Sequence, residues 1–326
     1  MNGSGGDGSR ATAHSDIPIT VCIPTVRAAT IADAIESVRA QTHDRWNLLV
    51  IMQGDDAELR RVVDGFARRD DRIRGVWVPE PGLNRARNLG IRQAECDTVA
   101  FLDDDCEAAP DWLAHVSSAI AADPGVGLVA GSLVAPPAPR WRLSVCPAVE
   151  PVDATFRAAA GDPQLPPGSE FAGANFIVRR AAYERVGPFD EELGPGTALV
   201  GGDDLDWVLR AARDGVAIRF LPQAVVHHTS GRRFGLRAVY RHRSGYGIGH
   251  GAVAAKMSLV SPPDAPVWNG RIWRRDMWRQ VLVTPFTSLR PHRAIAGLPR
   301  LVAFERAYRR CRRDYTVDVA GLLEPR

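Results

Sequence analysis

Three adjacent carboxylates, Asp103-Asp104-Asp105, follow the apolar run Val99–Leu102 directly. At one strand end they repel each other, and a cation relieves the cost. Mg²⁺ or Mn²⁺ takes such oxygen ligands and commonly shares them with substrate phosphates. The triplet also reads as a solvated acidic turn capping a helix that begins near Pro110-Asp111. A second acidic group stands in Gly201-Gly202-Asp203-Asp204-Leu205-Asp206-Trp207. Glycines let backbone approach a ligand closely, and acids at a helix start meet the favourable end of its dipole. These acids are either good N-caps or a general base whose pKa a second acid raises. In Pro81–Gly90 a glycine turn leads into a helix with Arg85 and Arg87 near its start. That pattern can hold phosphate, although arginine is common on surface helices. His227-His228 closes an expected strand, so one imidazole points to each face. One of them could join a metal shell or meet phosphate, or each could simply pack.

The elements that must position these groups alternate. Strands are expected at Ile17–Ile23, Trp46–Met52, Ile73–Val78, Thr98–Leu102 and Val126–Ala130. Helical periodicity lies between them, over Ile31–Val38, Ala57–Arg69, Asn84–Ala94 and Asp111–Ala122. Strands and helices in alternation imply parallel βαβ units with right-handed crossovers. Ligands of such sheets bind beyond the carboxyl ends of the strands. The loops of interest are then Pro24–Arg27, Gln53–Asp56, Pro79–Arg87 and Asp103–Glu107. From Pro136 to Gly168 prolines break the pattern, which reads as an irregular insertion over the site. An extended run Phe171–Val178, a helix Asp204–Arg213 and short strands Ala217–Leu221 and Ala224–His227 follow.

Composition bounds the possibilities. With 326 residues, 45% hydrophobic and 24% charged, the bulk of the chain is globular. A net charge of +3 is too mild to imply nucleic-acid binding. Lys256 is the only lysine, so almost all positive charge is arginine. Five scattered cysteines lack metal-ligand spacing and imply neither disulfides nor zinc, and fit a reducing compartment. No apolar run approaches the ~20 residues of a membrane span. Residues 1–16 read as a disordered leader without an apolar signal core.

The order of these signals resembles the family 2 glycosyltransferases of the GT-A fold, over about residues 17–230. Ile19–Thr25 is similar to the family's opening strand, and Ser37–Thr42 to its first helix. Ala86-Arg87-Asn88-Leu89-Gly90 precedes Phe101–Asp105 as the family's ARN-type segment precedes its DxD motif. Gly173-Ala174-Asn175-Phe176 looks like the acceptor-side loop, and Gly202–Asp206 like the ED motif, with Asp203 where Glu is usual. The resemblance implies an α/β, mostly parallel sheet flanked by helices, with a nucleotide-sugar half near 17–106 and an acceptor half near 107–230. It implies a nucleoside-diphosphate sugar donor, Mg²⁺ or Mn²⁺, and inversion. Asp103 and Asp105 would position metal and diphosphate, with His228 beside them, and Asp104 would reach the ribose. Pro24, Thr25, Arg27 and Gln53 would line the nucleotide pocket, with Arg87 near the phosphates; Gln53 stands where the family usually has Asp. Asp204 would be the base, supported by Asp203. Asn175, Gly202 and Trp207 would meet the acceptor, which is a glycan, a lipid-linked sugar or a small molecule.

Two other functions share these features. A nucleotidyltransferase also uses an α/β sheet, a metal and a nucleotide, but usually has a Gly-rich basic loop where Pro24-Thr25-Val26-Arg27 stands. A non-catalytic sugar- or nucleotide-binding protein would need no base. Residues 231–326 form a helical, Arg- and aromatic-rich extension. Arginine with Trp, Phe and Leu at helical spacing suits a membrane-surface helix, a helix packed on the catalytic domain, or a homodimer contact. The expected setting is cytoplasmic, with peripheral attachment to the inner face of the membrane as one option.

Overall fold

In the computed structural model, which describes residues 16–138, 143–157, 165, 169–260, 278 and 292–314, strand β1 (Ile19–Thr25) is buried at every position. A strand covered on both faces needs apolar side chains throughout rather than alternation. Helix α1 (Ala28–Arg39), strand β2 (Trp46–Gln53), helix α2 (Ala57–Ala67), strand β3 (Ile73–Val78), helix α3 (Leu83–Gln93) and strand β4 (Thr98–Leu102) follow. Then come β5 (Glu107–Ala108), α4 (Trp112–Ala122), β6 (Val126–Val134), β7 (Ser144–Val145), β8 (Ala154–Phe156) and β9 (Asn175–Arg179). The chain continues through α5 (Arg180–Val186), α6 (Asp203–Arg213), β10 (Ala217–His227), β11 (Arg233–Phe234), α7 (Leu236–Val260) and α8 (His292–Asp314). Among the described residues no helix is long and apolar enough to cross a membrane.

The main sheet runs β3-β2-β1-β4-β9-β6-β10-β5, with β8 also on β10. Strands β3, β2, β1 and β4 are mutually parallel, and β9 runs antiparallel between β4 and β6. Because β6 and β10 are parallel to each other, all the long strands except β9 end on one side. Thr25, Gln53, Asp103 and His228 therefore share one edge. Pairing of β1 with β4 stops at Cys22 and Phe101, so Pro24, which has no N–H to offer, lies beyond the ladder where the strands part.

Successive strand residues face opposite layers. Ile19, Val21 and Ile23 join α1, α2 and α4 on one face. Cys22, Phe101 and Phe176 join α3, α6, α7 and α8 on the other.

Three expectations change. Ala217–Leu221 and Ala224–His227 are one strand, β10, whose register with β6 shifts between Leu221 and Val225 around Pro222. Helix α5 is too short for its periodicity to stand out in the sequence. The C-terminal apolar stripe is a packing face: Leu301, Phe304, Tyr308 and Cys311 of α8 are buried, in the same core as Ala252–Ala255 of α7. The expected leader, apart from Asp16, lies outside the described residues.

Alternate glycines let α7 serve two neighbours. A Cβ on Gly249 would collide with Gly201, and one on Gly202 would stand 2.9 Å from the Gly249 backbone. A Cβ on Gly247 or Gly251 would instead strike the α8 backbone at Arg300 or Phe304. Lys256, 6% exposed, completes the docking by pairing with Asp190 at 2.7 Å and Asp206 at 2.8 Å.

Asn175 ties three strands together. Its amide donates to the carbonyls of Ser132 and Ala224, both at 2.8 Å, and its oxygen accepts from Trp112 Nε1 at 2.9 Å. Asn175→Ala strands all three partners in a dry interior and is expected to cost about 2–4 kcal/mol, read from the urea midpoint at unchanged m-value.

Candidate functional site: an acidic cleft at the strand ends

The floor of the cleft is Arg87. The chain enters α3 at Gly82, whose N–H donates to Gln53 Oε1 at 2.7 Å. Asn84 Nδ2 bonds the carbonyl of Asp190 at 2.7 Å, and Asn88 exchanges bonds with the backbone of Phe189 at 2.9 and 2.8 Å. These amides explain why a helix can bury a polar face here: each partner is a backbone group that also needs satisfying. Arg87 is thereby held between the rings of Phe101 and Phe189, at 5.9 and 5.8 Å from their centroids. Its guanidinium donates to Asp203 and, at 3.2 Å, to Asn84 Oδ1. Gly173 lies flat against the guanidinium, where any Cβ would collide.

On one side stands the acid triplet. Asp104 is buried and accepts from Thr25 Oγ1 at 2.7 Å and from Arg27 Nε at 3.3 Å. A further nitrogen of Arg27 pairs with Asp104 and lies 3.2 Å from Asp105. Asp105 Oδ1 is 3.4 Å from His228 Nε2, and the other imidazole nitrogen is 3.5 Å from Cys146 Sγ. Gly231 packs directly on that ring. Burial alone would raise the Asp105 carboxyl, but His228 and Arg27 outweigh it and hold it down at about 2. Asp103, partly exposed, goes the other way: burial and the charges of Asp105 and Asp104 overcome Arg87 and push it up to about 7. Burial would lower His228, yet Asp105 and Asp103 raise it.

On the other side is the start of α6. Gly201 and Gly202 take left-handed conformations, φ 87° and 77°, which turn the chain into the helix. Asp203 is buried on Arg87, while Asp204 is partly exposed. Asp204 accepts from the Gly173 N–H at 2.9 Å and its neighbour Leu205 N–H at 2.8 Å. Burial and the adjacent Asp203 push its carboxyl up to about 6, against Arg87 and the two N–H donors. The charge of Arg87 acts on Asp203, Asp103 and Asp204 together, so both acidic groups lie around one guanidinium.

The donors fit a divalent cation. Ligand atoms of Asp105, Cys106 and His228 lie within 4.8 Å of one another. Burial and the flanking acids push the Cys106 thiol up, which keeps it neutral. Carboxylate oxygen with imidazole nitrogen then forms a donor set compatible with Mg²⁺ or Mn²⁺.

Several expected positions differ from the arrangement found. Arg87 is 2% exposed and spends its bonds on Asp203 and Asn84, so it lies beneath the acids rather than among them. Asn175 and Trp207 are 0% exposed with internal partners, Trp207 Nε1 donating to Gly187 O at 3.0 Å. Gly202 touches α7. Gln53 spends its oxygen on the Gly82 turn. Pro24 and Thr25 are buried at the end of β1, with Thr25 holding Asp104.

Sequence reasoning missed Tyr246. It is 40% exposed on α7, packs at a tilt against His242 with centroids 4.7 Å apart, and is close enough for Asp204, Asp203 and Asp103 to raise its phenol further after burial. The alternating glycines around it were the available signal, since such a run in a helix marks close approach of backbones.

Solved structures share this architecture. A mannosyltransferase from Pyrobaculum calidifontis, in complex with GDP-Man and Mn²⁺, superposes with TM-score 0.56 at 19% identity, covering 89% of this chain and 75% of that one. S. aureus TarS 1–349 in complex with UDP-GlcNAc gives 0.55 at 14% identity, covering 92% and 91%. The fold is thus that of the GT-A glycosyltransferases. Residues 20–187 match the sequence profile of glycosyl transferase family 2, and the chain belongs to that family. Relatives include a glucosyl-dolichyl phosphate glucuronosyltransferase of Haloferax volcanii, 26% identical over 55% of this chain and 57% of the relative's length. The succinoglycan biosynthesis protein ExoM of Rhizobium meliloti is 31% identical over 75% of this chain and 76% of its own.

Removing one partner of a buried ion pair strands the other. Arg87→Met is expected to cost about 3–5 kcal/mol in chemical denaturation. Arg87→Met/Asp203→Asn should recover part of that loss, because no unpaired charge remains.

Proposed function

We propose that the chain transfers a sugar from a nucleoside-diphosphate sugar to an acceptor hydroxyl with inversion at the anomeric carbon, Asp204 acting as general base. The meeting of both acidic groups around Arg87 carries this reading. The donor diphosphate would lie over Asp103, Asp105 and His228, with Arg27, 48% exposed at its side chain, beside it. Thr25 and Arg27 fix Asp104 in the nucleotide half of the cleft.

A cation held by Asp103, Asp105 and His228 would supply charge neutralisation of the departing diphosphate. The imidazole in that set favours Mn²⁺ over Mg²⁺. Asp203 stays on Arg87, which leaves Asp204 to take the acceptor proton as the hydroxyl oxygen attacks opposite the diphosphate. The Gly173 N–H orients the Asp204 carboxylate, and a pKa near neutrality suits a base. Tyr246 and His242 stand on the acceptor side. The names of the relatives, one acting on a glucosyl-dolichyl phosphate and one in succinoglycan biosynthesis, support a glycan or lipid-linked sugar as acceptor.

The first test is a hydrolysis screen of nucleotide-sugars with Mg²⁺ and Mn²⁺: free nucleoside diphosphate is expected, and pyrophosphate would mean nucleotidyl transfer instead. On the active donor, Asp204→Asn should lose at least ~10²-fold in turnover while calorimetric donor binding persists. Full turnover in that variant would refute the base assignment. Asp105→Ala should lose the metal-dependent part of donor binding. The base must be ionised, so the rate should rise with pH through an acid limb at or below about 6, since a nearby cation only lowers that pKa. Asp204→Asn should flatten the limb.

A further inference from the structure

From Thr229 to Val260 the chain holds five arginines and one lysine and no aspartate or glutamate. Arg233, Arg237 and Arg241 are exposed around the β11–α7 junction. Among the described residues neither Arg237 nor Arg241 enters an ion pair. Between these cations stand apolar side chains in solvent. Leu236 is 79% exposed and Tyr240 60%, one turn apart on the same face of α7. The Gly235 N–H donates to Leu143 O at 2.9 Å, which brings Leu143, 48% exposed, to the same edge. Leu236 is exposed more than any other large apolar side chain described.

Apolar tips surrounded by arginine fit the boundary of a bilayer, where the tips enter the acyl region and the cations meet lipid phosphates. A soluble polyanion would use the arginines and leave Leu236 and Tyr240 in water. We infer that the β11–α7 junction, with Leu143, Leu236 and Tyr240 between Arg233, Arg237 and Arg241, docks on an anionic lipid surface. This relocates membrane contact from the α8 stripe, which is buried, to the other end of the helical layer. It also orients the cleft. Tyr246 lies ten residues along α7 from Leu236, about 15 Å at helical rise, so an acceptor anchored in the bilayer would be presented to Asp204 from that side. The inference goes beyond the proposed transfer, and its test uses no turnover, so either can fail alone.

The test is flotation of the full chain with vesicles of phosphatidylcholine containing about one third phosphatidylglycerol, against phosphatidylcholine alone. Binding is expected to the anionic vesicles only, and to vanish in about 1 M salt, where the screening length is about 3 Å. An arginine near such a surface is worth roughly a fivefold gain, so Arg237→Glu/Arg241→Glu should weaken binding by at least ~20-fold. Leu236→Ser/Tyr240→Ser should abolish flotation at low salt, with the thermal melt of each variant unchanged. Failure of the full chain to float, or undiminished flotation by either double variant, overturns the inference. So does capture by heparin, unaffected by Leu236→Ser/Tyr240→Ser, without vesicle binding.

Discussion

One buried guanidinium sets the terms for the rest of the cleft. Three carboxylates that feel its charge, Asp103, Asp203 and Asp204, converge at the ends of two elements that are far apart in sequence. Without a fixed positive charge beneath them their repulsion would drive α6 away from β4. Arg87 supplies that charge, and its own removal from water is offset by Asp203, Asn84 and two aromatic rings. The pair is not a bonus to stability in itself, since desolvating both ions costs several kcal/mol. Its value lies in register: α3 and α6 can satisfy their buried charges in only one relative position. That position leaves Asp204 beside the opening while its neighbour is committed.

The acidic groups and the strands that carry them were legible because their signals are local. Apolar runs of strand length, turn residues and carboxylates at strand ends need no partner to be seen. Ile73–Val78 and Thr98–Leu102 were bounded correctly for that reason. What could not be read were side chains whose role depends on a distant backbone. Asn175 and Trp207 stand beside site motifs in the chain, yet both spend their polar atoms inside the sheet and core. Arg87 looked like a phosphate ligand because arginine at a helix start so often is; only the positions of Phe101, Phe189 and Asp203 bury it. The separation of β10 into two strands failed at Pro222, where the chain absorbs the missing donor by a shift of register and continues.

The helical layer is part of the cleft rather than an addition to it. Glycines two residues apart point to opposite sides of α7, so one helix meets both the turn before Asp203 and the backbone of α8 at near contact. Close backbone approach fixes the height of that turn, and with it Asp204, more rigidly than side-chain packing would. Tyr246 rises between the glycines on the side that faces the acids, which is how a segment outside the matched residues 20–187 comes close to them.

The solitary lysine has a consequence for how the molecule can be handled. Lys256 is 6% exposed and enclosed by Asp190 and Asp206, so its amine is shielded from acylating reagents while the two pairs hold. As the single lysine of the sequence, it is the one side-chain amine here to couple to a surface, a dye or a cross-linker. Acylation at Lys256 would accordingly register the moments when α7 lifts from α6, a built-in chemical reporter of whether the helical layer is seated.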